Sequence, residues 1–256
     1  MNLSLPVELA KGYKSPSQQA RVITQAWARE NLFCVNCSSL QLSPMPEGTE
    51  ANDLSCSECA SLYELKSKSS PILKKVADAG YAAMMRAIRT NHTPNLLLLH
   101  YEKPQWVVKN LVLIPHFAFP ESAVEKRNPL RESAQRHGHI LCNIVLKNIP
   151  SEAKISLVAN GVVVPPNRIR EQFKRIEPLK KFRAKKRSWT IDVLRVVQSL
   201  DRQQFTNDDV YAFEHELQEL HPDNRHIRDK IRQQLQKLRD RNLLLHIGRN
   251  RWQLPG

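Results

Sequence analysis

The chain has 256 residues, 41% of them hydrophobic, so it is long enough for one large domain with a core and one small domain. Its formal net charge of +14 predicts a polyanionic partner, with nucleic acid first and an anionic membrane surface second. No segment resembles a signal peptide or approaches the ~18 apolar residues of a membrane span, so we expect a cytoplasmic protein with no membrane partner.

The first predicted element is an amphipathic helix over residues 16–31, with Ser15 available as its N-cap and Pro16 as its first residue. A strand is predicted over residues 61–68, where Glu64 and Lys66 share one face. A helix is then predicted over residues 78–89, followed by strands over 95–102, 108–115, 139–146 and 154–164, the last broken by a turn at Asn160-Gly161. This alternation predicts an α/β or α+β core.

A basic stretch over residues 168–187 separates this core from the remaining sequence, so we place two domains at 1–183 and 184–256. The second domain has helical patterns over 189–200, 206–220 and 224–242, then a two-stranded wing over 243–254. Thr206 and Asp209 have the spacing of an N-terminal capping box. This order of elements predicts a winged-helix domain.

Four cysteines form two C-x2-C pairs, Cys34 with Cys37 and Cys56 with Cys59. Their separation is roughly that of a zinc ribbon, and four thiolates hold one tetrahedral Zn2+ ion. Because such a site has no open position for water, we expect this zinc to be structural. Cys142 stands alone in an apolar segment and is assigned to the core.

Acidic residues flank the second cysteine pair, with Asp53 before it and Glu64-Leu65-Lys66 after it. Phosphodiester hydrolysis needs a cation that neutralises phosphoryl charge and activates water, and Mg2+ prefers carboxylates and waters. We therefore expect Asp53 and Glu64 to bind Mg2+, with the carbonyl of Leu65 as a third ligand. Lys66 would orient or deprotonate the attacking water, or stabilise the transition state. The alternative is a solvated strand edge, because D-x10-E-x-K also occurs by chance.

The third C-terminal helix has apolar residues at 227, 231, 235 and 238 that must face the core, which leaves a polar face outward. Arginine pairs with guanine, and asparagine or glutamine with adenine, in the major groove. The candidate DNA contacts on this face are Asn224, Arg225, His226, Arg228, Arg232 and Gln233. Arg249 and Arg251 in the wing are expected on phosphate or in the minor groove. The alternative is the solvated helix of a protein-interaction domain.

Together these segments resemble the methyl-directed restriction endonucleases of the DpnI type over nearly the full length. The resemblance is carried by residues 13–27, both cysteine pairs, Tyr63–Lys68, residues 78–85, Cys142-Asn143-Ile144 and residues 226–240. It implies a PD-(D/E)xK nuclease core with an inserted four-cysteine zinc site, followed by a winged helix. It also implies cleavage of double-stranded DNA at GATC when the adenine is N6-methylated, with both domains reading the site. We expect the protein to be a monomer in solution.

Within this resemblance, Asp53, Glu64 and Lys66 correspond to the nuclease triad, although Asn52 stands where the motif has proline. A second departure is His139, which replaces a family tryptophan and is a poorer wedge between bases. Arg136 and His139 are therefore further candidate DNA contacts. The preferred DNA sequence and the affinity for DNA are open to differ from those of the family.

Two classes of function remain. The first is a type II restriction endonuclease, and the second is a catalytically idle zinc-containing winged-helix DNA-binding regulator in which Asp53 and Glu64 are structural. The intact triad favours the enzyme. An RNA-binding zinc ribbon is disfavoured by the recognition helix.

Overall fold

The computed structural model describes residues 1–46, 49, 52–72, 74–133 and 135–255. The α-helices are α1 (Pro16–Asn31), α2 (Tyr81–Thr90), α3 (Pro166–Ile176), α4 (Ala184–Ser199), α5 (Asn207–Tyr211), α6 (Glu214–Leu220) and α7 (Ile227–Arg239). The strands are β1 (Ser43–Pro44), β2 (Leu54–Ser55), β3 (Leu62–Lys68), β4 (Lys75–Gly80), β5 (Asn95–Glu102), β6 (Val107–Ile114), β7 (Val124–Pro129), β8 (Ile140–Val145), β9 (Ile155–Ala159), β10 (Val162–Val163), β11 (Gln204–Thr206), β12 (Leu245–Gly248) and β13 (Arg251–Gln253). Short 3-10 helices occur at Val7–Ala10, His116–Ala118, Glu121–Ala123, Leu146–Asn148, Ser151–Ala153 and Glu177–Lys181.

The chain forms two compact units, each built from three segments. The first unit comprises Met1–Leu73, Thr93–His116 and Ala153–Lys174, and the second comprises Lys74–His92, Phe117–Glu152 and Arg175–Gly256. The C-terminal elements therefore belong to the same unit as two segments from the middle of the chain. The sequence-based boundary at residues 183 and 184 lies inside the second unit and stays a prediction.

A mixed sheet forms the centre of the first unit. Within the described ranges its strand order is β1-β2-β3-β5-β6-β9-β10. The pair β3 and β5 is parallel, whereas the other neighbouring strands are antiparallel. Residues 95–101 of β5 are all buried, as expected of a central strand covered on both faces. Helix α1 packs against β3 and buries Ile23 and Trp27, so the predicted mixed α/β core is confirmed.

The second unit contains two small antiparallel sheets. One has the order β4-β8-β7 and packs against α2. The other has the order β11-β13-β12 and is formed by strands that alternate along the chain with the C-terminal helices α4 to α7. Helix α4 is buried along most of its length, including Trp189, Ile191 and Asp192. A helix that is apolar on several sides must be covered on several sides, and α4 contacts both α2 and α7.

Most predicted elements are present, but several boundaries were wrong, including that of the helix predicted from residue 189, which begins at Ala184. The helix predicted over residues 78–89 begins at Tyr81, because Asp78 and Gly80 pair with Cys142 and Leu141 of β8 as part of a strand. The helix predicted over 206–220 is divided into α5 and α6. The helix predicted from residue 224 begins at Ile227.

The basic stretch over residues 168–187 is ordered rather than a simple linker. It forms most of α3, the 3-10 helix Glu177–Lys181 and the start of α4. Ile169, Phe173 and Ile176 are buried at helical spacing, so the positive charge of this stretch lies on an amphipathic helix. None of the helices in the described ranges combines the length and the apolar composition needed to cross a lipid bilayer.

Candidate metal centre and active site

The four predicted zinc ligands come together in the first unit. The Sγ atoms of Cys34, Cys37, Cys56 and Cys59 lie within 4.8 Å of one another. The distance from Cys34 to Cys59 is 3.5 Å, as is that from Cys37 to Cys56. A tetrahedral ion with Zn–S bonds of ~2.3 Å requires similar sulfur separations. The cluster is therefore able to bind a zinc ion.

Hydrogen-bonding groups surround the sulfur atoms. The Tyr63 hydroxyl lies 3.2 Å from Cys34 Sγ, and burial raises the Tyr63 pKa above its ordinary range, so the phenol keeps its proton. Partial burial of Cys59 opposes ionisation of its thiol, but hydrogen bonds involving Ser61 and Asn36 outweigh this effect and lower its pKa to about 6. Burial raises the pKa of Cys37. A bound cation would favour the thiolate form of all four ligands.

Helix α3 supports the cysteine cluster through Arg170. Its guanidinium donates to the carbonyl oxygens of Cys34, Ser38 and Ser39 at 3.2–3.4 Å. The same group lies 5.0 Å above the ring of Phe33. One arginine therefore ties the backbone of the first knuckle to a helix more than a hundred residues away in sequence.

The second predicted cluster lies where β2 and β3 meet. The Oδ2 atom of Asp53 accepts a hydrogen bond of 2.7 Å from the backbone N–H of Leu65, the residue between Glu64 and Lys66. The Lys66 Nζ atom lies 2.6 Å from Glu64 Oε1, and these side chains are 24% and 14% exposed. Folding therefore places Asp53 against the β3 backbone between Glu64 and Lys66, and all three residues are partly exposed.

A cleft of about 350 Å³ opens beside Asp53, and α1 forms one wall of it. Gln25 of α1 donates to Asp53 Oδ1 at 2.8 Å, so both oxygens of this carboxylate are held by the protein. Arg21 and Arg29 line the same cleft at i−4 and i+4 from Gln25 and are exposed. Sequence reasoning missed these three residues, although their four-residue spacing along α1 was a signal.

The polar face of α7 is exposed as predicted. Ile227, Ile231, Leu235 and Leu238 are buried, whereas Arg228, Arg232 and Gln233 face solvent. Asn224, Arg225 and His226 precede the helix, and Asn224 Oδ1 accepts the N–H of His226 at 2.8 Å. This local turn satisfies the backbone before the helix starts, which explains why the helix begins three residues later than predicted.

Several of the predicted base-reading side chains have partners inside the domain. Arg228 Nε donates to Glu214 Oε2 at 2.7 Å and its guanidinium lies 5.3 Å from the Tyr211 ring centroid, while Arg232 pairs with Asp229. Gln236 was missed by the sequence interpretation, although it is exposed one helical turn after Arg232. In the wing, Arg249 and Arg251 are both exposed.

Two family models match this chain, and together they cover most of it. The model described as DpnI, the Dam-replacing family, matches residues 1–182. The model described as the Dam-replacing HTH domain matches residues 185–253. The chain belongs to the DpnI family of methyl-directed restriction enzymes. The second match also shows that α4 to α7 form a helix-turn-helix DNA-binding domain.

The remaining predicted contacts of this DpnI-family protein lie on the loop between β7 and β8. Arg136 and His139 are exposed, and the His139 N–H donates to the Arg136 carbonyl oxygen at 3.1 Å. The His139 imidazole lies over Gly80, where a Cβ atom would come within 2.9 Å of Nε2. Glycine at position 80 therefore allows the imidazole ring to lie against β4. The role of Arg136 and His139 in DNA contact stays a prediction.

Proposed function

We propose that this DpnI-family protein is a type II restriction endonuclease that hydrolyses double-stranded DNA at GATC sites carrying N6-methyladenine, with Mg2+ as cofactor. The observation that carries the proposal is the hydrogen bond from Leu65 N–H to Asp53, which joins the two halves of a D-x10-E-x-K pattern. Membership of the family supports methyl-directed cleavage, and the resemblance in sequence supports the GATC site.

The donor set suits a hard divalent cation. Asp53 and Glu64 supply carboxylate oxygens, and the backbone carbonyl of Leu65 is a third candidate ligand, which leaves positions for water. When bound, Mg2+ supplies Lewis-acid stabilisation of phosphoryl charge and a more acidic water molecule. We take this cluster to be the triad of a PD-(D/E)xK nuclease, with Asn52 in the position of the proline.

The chain's own residues have separate tasks in this proposal. Gln25 fixes the orientation of Asp53, and Glu64 holds the Lys66 ammonium group at 2.6 Å. That ammonium group stabilises the extra negative charge that develops on the phosphate during hydrolysis, or orients the attacking water. Arg21 and Arg29 bind DNA phosphates next to the cleaved one and keep the DNA strand in register with the active site.

The experiment compares one plasmid prepared with and without adenine methylation at GATC, each incubated with the protein in the presence and absence of Mg2+. We expect cutting of the methylated plasmid only, and only with Mg2+. Equal cutting of both plasmids would contradict methyl direction. Binding to methylated DNA without any cutting would favour the non-catalytic DNA-binding regulator.

Two variants test the residues. We expect Lys66→Ala and Asp53→Ala each to lower the cleavage rate about 10³-fold or more, with binding to the methylated duplex largely retained, because they act mainly on the transition state. Lys68→Ala removes an exposed lysine from the same strand and serves as the matched control. Cleavage by either active-site variant at the rate of the control would refute the triad.

A further inference from the structure

A second charged site lies within the second unit and contains none of the residues assigned above to catalysis. It is a groove of about 1050 Å³ formed by α2, the start of α4, the segment before α7 and the first turn of α7. Six basic side chains line it: Arg89, Arg183, Lys185, Lys186, Arg225 and Lys230. Among the acidic residues, only Glu121 and Asp223 appear in this lining within the described chain.

These two carboxylates are already engaged. Glu121 pairs with Arg89 at 2.7 Å, and Asp223 lies 3.7 Å from Lys185 in an ion pair whose side chains are both more than 80% exposed. Within the described ranges, no carboxylate lies at ion-pair distance from the side chains of Arg183, Lys186, Arg225 or Lys230. The groove therefore carries a net positive charge that the described part of the protein does not neutralise.

Like charges also meet at the edge of this groove. Lys230 and Lys237 of α7 approach the same oxygen, Gln233 Oε1, at 3.0 and 3.4 Å. Burial lowers the pKa of Lys237, and the nearby charges of Lys230 and Lys186 lower it further. We call Lys186, Lys230 and Lys237 the lysine cluster. Such crowding costs stability in the free protein and is relieved when an anion binds.

We propose that this groove and its lysine cluster bind the sugar-phosphate backbone of duplex DNA next to the bases read by α7. The proposal rests on the proposed function in one respect, namely that DNA is the partner. A recognition helix enters the major groove with its N-terminal residues toward the bases, and the phosphate backbone passes along the edges of that groove. Arg225 and Lys230 lie at the N-terminal end of α7, so an adjacent basic surface meets the backbone there.

Duplex DNA fits the groove better than an isolated anion does. The six basic side chains are spread over several elements, which matches a row of phosphates rather than a single one. Two lining residues of the groove are held by contacts inside the protein: the rings of Trp189 and His221 stack at 3.8 Å, and His221 Nε2 lies 2.8 Å from the buried carboxylate of Asp192. A preformed basic surface loses little entropy on binding.

The test measures fluorescence anisotropy of the full-length protein on methylated and unmethylated GATC duplexes without Mg2+, over a series of salt concentrations. The variant is Lys186→Gln with Lys230→Gln. The matched control is Lys147→Gln with Lys180→Gln, which removes two exposed lysines of the same unit that do not line the groove. Thermal unfolding is recorded for each protein.

We expect the slope of log Kd against log salt to become shallower by about 1.8 in the groove variant, since each lost phosphate contact contributes about 0.9. The change should be equal on both duplexes, because phosphate contacts carry no sequence information. The melting temperature should not fall, because like-charge repulsion is reduced.

A slope change no larger than that of the control would overturn the proposal. Weakened binding of a polyglutamate peptide with an unchanged DNA slope would overturn it in favour of an acidic protein partner. Failure of the wild-type protein to prefer methylated DNA would count against the proposed function alone, because the slopes would still decide what the groove binds.

Discussion

At the scale of single residues, the candidate active site depends on how firmly Asp53 is held. Its two oxygens accept hydrogen bonds from Gln25 and from the backbone of Leu65, at 2.8 and 2.7 Å. A carboxylate fixed in this way is already oriented before a cation arrives, so less reorganisation is needed on binding. In the proposed mechanism Gln25 is thus a positioning residue rather than a catalytic one.

We expect Gln25→Ala to lower the cleavage rate about 10- to 100-fold and to raise the Mg2+ concentration needed for half-maximal activity, because loss of an outer hydrogen bond weakens cation binding. The measurement is the initial rate of cleavage of methylated plasmid against Mg2+ concentration. Gln18→Ala, at an exposed position of the same helix, is the control. An unchanged Mg2+ requirement would show that Gln25 only supports local packing.

At the scale of elements, the segments that carry the two cysteine pairs are short and have little regular secondary structure. The strand β2 has two residues and pairs with β3 immediately beside the second cysteine pair. So short a strand has little stability of its own. Arg170 reinforces the first knuckle from α3, but hydrogen bonds to three carbonyl groups are weaker than the four metal–sulfur bonds that the cluster is able to form.

We expect Cys34→Ser and Cys56→Ser to lower the melting temperature and the zinc content together, because the free energy of metal binding contributes to folding at such a site. Zinc is measured in the purified protein by atomic absorption. Cys142→Ala is the control, since Cys142 is a buried cysteine of β8 outside the cluster, and it should retain one zinc per chain. Full zinc content in both serine variants would contradict the assignment.

The capping box at the start of α5 is a second element-scale feature. Asp209 Oδ2 accepts hydrogen bonds from both the hydroxyl and the backbone N–H of Thr206 at 2.7 Å, and Thr206 caps the Asp209 N–H in return. The side-chain hydrogen bond to Thr206 is the largest cause that lowers the Asp209 pKa below its ordinary value of 3.8. The ionised form is therefore favoured by the fold.

We expect Asp209→Ala to reduce the free energy of unfolding by about 1 kcal/mol at pH 7. A carboxyl with a depressed folded pKa stabilises above its unfolded pKa and loses that contribution as pH falls through the folded value. The difference in the free energy of unfolding between wild type and variant should therefore be constant from pH 7 to about pH 5 and shrink below pH 4. Urea unfolding at several pH values measures it, and a pH-independent difference would refute the role of the charge.

At the scale of the whole molecule, the C-terminal helices are not an appendage joined only by a linker. Helix α4 bonds to residues from the middle of the chain, with the Glu121 N–H donating to Ser188 and the Ser122 hydroxyl donating to Asp192. Asp192 is fully buried, so its carboxylate depends on these partners and on His221. Removing the partners from the middle of the chain leaves the Asp192 carboxylate without part of its hydrogen bonding, which costs stability.

We expect fragment 184–256 to bind duplex DNA but to unfold at lower urea concentration than the same elements in the intact chain, because Ser188 and Asp192 lose those partners. Hydrogen exchange of peptides from residues 184–256, recorded over a urea series, monitors unfolding of these elements in both proteins, because the intact chain also contains Trp27 and Trp106. Anisotropy with methylated and unmethylated duplexes at fixed salt then shows whether the fragment reads the methyl group. Equal midpoints for the fragment and the intact chain would contradict the expected loss.

The sequence determined what depends on local spacing and on composition. Two C-x2-C pairs predict a four-sulfur cluster because the spacing within each pair brings two ligands to one metal ion. Helix α1 and strand β5 are predicted by the spacing of their apolar residues. The polar face of α7 and the basic charge that predicts a nucleic-acid partner were likewise visible in the sequence. Each of these features requires only residues that are close along the chain.

Only the tertiary structure decided which distant residues meet. The start of α2 was missed because strand pairing with β8 overrides the helix propensity of residues 78–80. Gln25 reaches Asp53, Arg170 reaches the first knuckle, and Lys186 lines the same groove as Lys230 of α7, in each case across a long separation in sequence. Such contacts are set by the packing of whole elements, in which burial of apolar faces fixes helix and sheet positions and so determines where polar side chains converge.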